Sequence, residues 1–307
     1  MIRAKEAWRL LKQAAYSWIG DYAPSMGAAL AYYTLFSIAP LLIIVIAVAG
    51  FVFGDEAARG ALFGELRTLT GDEGAKAVES LVAAADRPRQ GALATAIGVG
   101  VLAIGATTVF GELQNALDRI WRAPAREETS GWWNLVRARL LSFGMVLGIA
   151  FLLMVSLVLS AAVAALGRLW AFPGWEALSG ALDVAASFAL VTVLFALIYK
   201  FIPRVHVAWR DVWTGAAVTA ILFALGKFLI GLYIGRSAVA STFGAAGSLV
   251  VLMVWVYYSA QIFLFGAEFT WVYAHAHGSR RGKPTASPRE PGTISPARAS
   301  SPGGASP

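Results

Sequence analysis

The chain has 307 residues, 58% of them hydrophobic and only 14% charged, with a net charge of +7 and a mean hydropathy of +0.65. Soluble domains carry about a quarter charged residues, so the composition excludes a globule with a polar coat. Cysteine is absent, which excludes disulfides, thiol catalysis and cysteine-held metals.

The first element is an amphipathic helix over Ala4–Tyr22. At 100° per residue Trp8, Leu11, Ala15, Trp18 and Tyr22 share an arc of about 80°, with Lys5, Arg9 and Lys12 to one side. That stripe suits either the inner membrane leaflet or the ends of a helix bundle. No cleaved signal peptide is expected, because the first apolar run is too long for a signal core.

Apolar runs then follow at Met26–Phe53, Gly91–Phe110, Leu140–Leu166, Gly180–Ile202, Val212–Ile234 and Gly244–Tyr273. About 20 apolar residues cross the hydrocarbon core as a helix. The fold class predicted is therefore all-α: a polytopic membrane protein with six transmembrane helices. Residues 1–24 form the interfacial helix, 25–277 the membrane domain, and 278–307 a basic tail. That tail is rich in Pro, Ser and Gly and cannot bury a core. Pro40 predicts a kink in the first span. The segment 54–90, with helical spacing in Leu62, Leu66 and Leu69 and in Val78, Leu81 and Val82, predicts short amphipathic helices capping the outer face.

Charge sets the orientation, since Lys and Arg gather at cytoplasmic loops. Arg3, Lys5, Arg9 and Lys12 precede the first span, and Arg119, Arg122, Arg126, Arg137 and Arg139 follow the second. Lys200, Arg204 and Arg210 lie between the fourth and fifth, and the tail adds Arg280, Arg281, Lys283, Arg289 and Arg298. The opposite loops hold fewer. Both termini are thus expected in the cytoplasm, and the net charge needs no nucleic acid partner. Gly144-xxx-Gly148 and Gly231-xxx-Gly235 would let helix backbones approach closely, within one chain or between copies in a homo-oligomer.

Ionisable residues inside spans are costly and mark polar sites. In the sixth span Tyr257, Gln261 and Glu268 fall within about 40° on one face. In the fifth, Lys227 sits roughly 10 Å from the outer end, where Asp183 of the fourth span is a candidate partner. Glu268 lies near the inner end, with Arg119, Arg204 and Arg210 as candidate structural partners. These residues suit either two structural ion pairs, one at each end of the bundle, or a polar pathway running between them, which alone would also draw on Gln261 and Tyr257. No catalytic or metal site is expected: the three histidines sit at membrane edges, and His275 and His277 point about 200° apart on a helix. No cofactor is expected either.

Several motifs are familiar together. Ala31-Tyr-Tyr-Thr-Leu-Phe-Ser-Ile-Ala-Pro40, Asn115-Ala-Leu-Asp-Arg-Ile-Trp121, Trp209-Arg-Asp211 with Gly215-Ala216, and Gly226-Lys227 through Tyr233-Ile-Gly-Arg-Ser237 form one set. Phe243-Gly-Ala-Ala-Gly-Ser-Leu-Val-Val251, Trp255-Val-Tyr-Tyr-Ser-Ala-Gln261 and Phe265-Gly-Ala-Glu268 complete it. Over about residues 10–275 the chain resembles the YihY/virulence factor BrkB family, departing at Asp118, where Asn is expected, and at Phe243, where Tyr is usual. The resemblance implies a bacterial inner-membrane protein of six spans, some relatives of which bear an old ribonuclease label. Others are associated with serum resistance or envelope lipid export. It carries no catalytic residues. The function expected is transport or export of a lipid or amphipathic solute, with membrane lipids as partners. The alternative is a non-transporting, envelope-organising membrane protein. A ribonuclease is disfavoured, because no nuclease centre is present and the basic residues follow topology.

Overall fold

The computed structural model describes residues 4–85, 108–124, 144, 175–236 and 247–282. Among the described residues the structure is helical, without strands. Its elements are α1 (Ala4–Gly20), α2 (Ala23–Phe53), α3 (Asp55–Ala85), α4 (108–120), α5 (Trp175–Phe201), α6 (Trp209–Arg236) and α7 (Gly247–Ala276).

Four of these contain stretches long and apolar enough to cross a bilayer: Ala23–Phe51, Gly180–Phe201, Trp209–Tyr233 and Gly247–Ala276. They coincide with the first, fourth, fifth and sixth predicted spans. The predicted spans Gly91–Phe110 and Leu140–Leu166 lie outside the described residues, except for 108–110 and 144, as does the tail beyond 282. Large apolar side chains on these helices face outward, among them Phe51, Val184, Phe228 and Leu229. Water would penalise such a surface and hydrocarbon does not.

α7 is the hub, packed against α1, α2, α3 and α6, while α5 packs mainly on α6 and touches α7 through Phe195 and Tyr199. Its two halves differ. From Phe263 to Ala274 nearly every residue is buried, whereas Leu249, Met253 and Tyr257 in the first half are exposed. The inner wall is aromatic: the Phe195 ring meets those of Tyr199, Phe223 and Phe263 at 6.3, 5.8 and 6.1 Å.

Side chains of α7, α6 and α5 press directly on Gly215, Gly226 and Gly266. A Cβ at these positions would strike Thr270, then Ile262 and Tyr258, then Thr219 and Tyr199. Beside Gly144 and Gly231, the small residues singled out by spacing, a Cβ would meet nothing within 4 Å. The close seam runs instead along α6 and the buried half of α7.

α2 runs as one helix through Pro40. It turns into α3 at Gly54, whose φ of 86° suits glycine. Over the expected cap, residues 55–85 form one helical run broken at Gly71 (φ 76°). Its Leu62, Val78 and Val82 are buried in the main core, and the run packs on α2 and α7. In α1 the buried line is Leu10 and Ala14, continued by Asp21 just past its end, with Trp18 half-buried; Trp8, Tyr16 and Ile19 face outward. This line docks on α7, while the outward aromatics share their side with Lys5, Arg9 and Lys12. One helix thus carries a face packed on the bundle and an opposite face of exposed aromatic and basic residues.

Candidate functional site

Two short turns shape the site. Between α1 and α2, the Asp21 N–H donates to the Ser17 carbonyl (2.8 Å), and Tyr22 takes a left-handed φ of 58° before Pro24 starts α2. At the end of α4, the Ala123 N–H donates to the Asp118 carbonyl (2.8 Å) and the Arg122 N–H to that of Arg119 (3.0 Å), with Arg122 at φ 51°. This closure usually employs glycine. Tyr22 and Arg122 are the only non-glycine residues with positive φ among the described residues, a conformation that costs about 1–2 kcal/mol each. Strain of that kind gathers at functional positions. Here it delivers Asp21 and Arg122 to the same place.

That place is Glu268, in the encased half of α7. Its side chain is wholly buried and Asp21 is 8% exposed. Among the described residues no N–H or O–H reaches either Glu268 Oε atom or Asp21 Oδ2. The two carboxyl groups instead lie in hydrogen-bonding contact with each other, and Arg122 supplies the opposing charge. The Arg122 guanidinium is stacked over Trp271 at 4.3 Å, which fixes its height beside α7. An ion removed from water costs on the order of several kcal/mol unless well compensated, so an acidic pair here works against stability.

The surroundings are rigid. The buried Asp211 carboxylate, at the start of α6, accepts from the Ser279 hydroxyl (2.6 Å) and the Ser279 N–H (3.1 Å). Arg280 donates to the His206 carbonyl (3.1 Å) and stacks over Trp121 at 5.2 Å. Asp118 accepts the Arg204 N–H (2.8 Å) and pairs with its guanidinium (3.2 Å). Burial pushes the Asp118 carboxyl above its ordinary value, only partly offset by the Arg204 N–H and charge. Lys200 donates to the Val207 carbonyl (2.6 Å) and lies over Trp209 at 5.4 Å. This end of the bundle is thus a girdle of cations on aromatic rings.

The five residues picked from sequence fall in different settings. Gln261 donates to the Pro24 carbonyl (3.3 Å) and packs on Gly27, about two turns along α7 from the Asp21–Glu268 contact. Tyr257 shares that face but is 39% exposed. Lys227 is half-buried and makes no ion pair among the described residues. The side chain of Asp183 is outside the described residues. Of the candidate partners, Arg204 is held by Asp118, Arg119 lies over Tyr22 at 5.4 Å, and Arg210 is exposed. Sequence reasoning missed Asp21, Arg122 and Asp211 as site residues. Asp21 alone left a signal, an acid at the break between an amphipathic helix and a proline-started span. No group of three or more His, Asp or Glu residues that could hold a metal occurs among the described residues.

Comparison with known proteins fits this architecture. The profile of the family described as Virulence factor BrkB matches residues 15–290. The chain is 29% identical over 262 residues to a UPF0761 membrane protein of Pseudomonas aeruginosa, covering 82% of this chain and 60% of that one. It is 28% identical over 250 residues to a UPF0761 membrane protein of Pseudoalteromonas translucida, covering 78% of each. A third such protein, from Neisseria meningitidis, is 27% identical over 268 residues, 85% of this chain and 63% of the other. The chain thus spans about 60% of the length of the Pseudomonas relatives. No solved structure matches. On the family match and these membrane relatives, the chain belongs to the Virulence factor BrkB family of membrane proteins.

Proposed function

We propose that this protein is a six-span, multi-pass protein of the bacterial inner membrane, with both termini in the cytoplasm, that moves a lipid or amphipathic solute. One observation carries the reading: Glu268 is buried beside Asp21 at the hub of the bundle, and neither Glu268 oxygen nor Asp21 Oδ2 meets a donor among the described residues. A fold that only needs rigidity gains from apolar residues at such a position. Polar groups inside a membrane bundle favour a pathway or a bound solute. Membrane lipids are the partners in this reading. The cation–aromatic girdle supports them, as it offers anionic headgroups positive charge beside rings that settle at headgroup depth. No catalytic role is assigned.

A second reading draws on the pins Asp118–Arg204 and Asp211–Ser279. These suit a non-transporting, envelope-organising protein whose polar end stays fixed. Purified protein in liposomes separates the two. Transport requires labelled lipid to exchange between leaflets faster than in empty liposomes. Exchange no faster than in empty liposomes, across anionic and zwitterionic lipids, overturns the transport reading.

A further inference from the structure

We propose that Asp21 and Glu268 form a proton-binding site, with one proton held between their carboxyl groups inside the bundle. The inference goes beyond transport, since such a proton is bound whether or not a solute moves.

Hydrogen-bond chemistry leads to it. An ionised carboxylate only accepts, so two carboxyl groups in hydrogen-bonding contact need a proton between them. Among the described residues no N–H or O–H reaches Glu268 Oε1, Glu268 Oε2 or Asp21 Oδ2. Charge leads to the same count. Arg122 is the cation acting on Glu268, and arginine stays charged in proteins. Two ionised carboxylates beside one arginine leave a buried excess negative charge, and one proton cancels it.

Among the described residues the neighbouring elements offer no rival. α2 carries no Asp, Glu, Lys, Arg or His. From α6, Asp211 is occupied by Ser279. Further along α7, His275 bonds the Trp271 carbonyl at 2.8 Å, and the charges that act on it are Arg280, Arg122 and Asp211. None of the α3 acids or bases acts on Glu268. A metal ion lacks a third acidic or histidine ligand among the described residues. The proton has an entrance, because Asp21 keeps 8% exposure in the turn beside the strained Tyr22.

Infrared spectroscopy of the purified full chain tests this directly. At neutral pH the wild type is expected to show the C=O stretch of a protonated carboxyl, shifted in D2O and lost on strong alkalinisation. Asp21→Asn and Glu268→Gln should each remove the band, while Asp118→Asn keeps it. Circular dichroism confirms that each variant is helical; a variant that does not fold leaves the wild-type spectrum as the deciding measurement. A wild type without the band at neutral pH overturns the proposal. So does a band that disappears in Asp118→Asn, or one that depends on sodium when choline replaces it.

Discussion

Gly266 on α7 and Thr219 on α6 touch with no room for even one methyl group between them. A Cβ at 266 would overlap the Thr219 hydroxyl and approach the Tyr199 hydroxyl at 2.7 Å. That hydroxyl donates to the Phe263 carbonyl at 2.7 Å and lies 3.1 Å from Thr219 Oγ1. Three helices therefore meet at one glycine.

Gly266→Ala is expected to destabilise the protein by about 1–3 kcal/mol, the usual cost of overpacking a tight core. Gly231→Ala, on the open side of α6, should be neutral or stabilising by up to about 1 kcal/mol through helix propensity. Thermal melting in detergent compares the two. Equal effects would show that the seam does not hold the bundle.

Asp118 makes a pH-dependent prediction. Its folded carboxyl is raised above 3.8, so the folded state holds this proton more tightly than the unfolded one. Its contribution to stability therefore falls as pH rises from the ordinary carboxylate value through the raised one. Asn at 118, the residue expected from the family pattern, can still accept the Arg204 N–H and carries no charge to desolvate. Asp118→Asn should equal or exceed wild-type stability by up to about 1 kcal/mol at neutral pH, with the gap closing in acid. A large loss at neutral pH would mean that the Arg204 pair outweighs burial.

Lys227 and Asp183 are expected to be independent. The Phe195–Phe223 ring contact (5.8 Å) and the Tyr199–Thr219 bond set the α5–α6 register. Lys227 then lies opposite Val191, and Asp183 sits about eight residues, roughly 12 Å, further along α5. Lys227→Met and Asp183→Asn should be additive within about 0.5 kcal/mol. Recovery of a Lys227→Met loss by Asp183→Asn would establish a pair.

Topology makes the next prediction. A reporter active only outside the cytoplasm should be active when fused after Asp72 or Pro173. It should be silent after Ala125 or Gly278. Activity after Gly278 would remove both the even number of spans and the orientation.

The helical membrane class was legible in the sequence because hydrophobic runs are local and long. Glu268 was legible for the same reason, as a charge stranded in such a run. Its surroundings were not. Asp21 sits at a helix end where acids are ordinary, and Arg122 reads as one more positive charge at a membrane edge. Only tertiary packing, through two left-handed turns, brings them to α7. The small-residue spacing at Gly231 marks a face without saying what covers it, and among the described residues nothing lies within 4 Å of a Cβ there. Gly266, which is covered, has no such partner in sequence.

The central claim is that Glu268 serves function at some cost to stability, and one substitution measures both. Glu268→Gln keeps the shape and removes one of the two facing carboxyl groups. Melting temperature and lipid exchange are to be measured on the same proteoliposome preparation. The account predicts melting at or above the wild-type temperature, with exchange at least about tenfold slower, a barrier change of about 1.4 kcal/mol or more. Wild-type exchange in a stable variant, or slowing only in step with unfolding, would contradict it and leave Glu268 a structural residue.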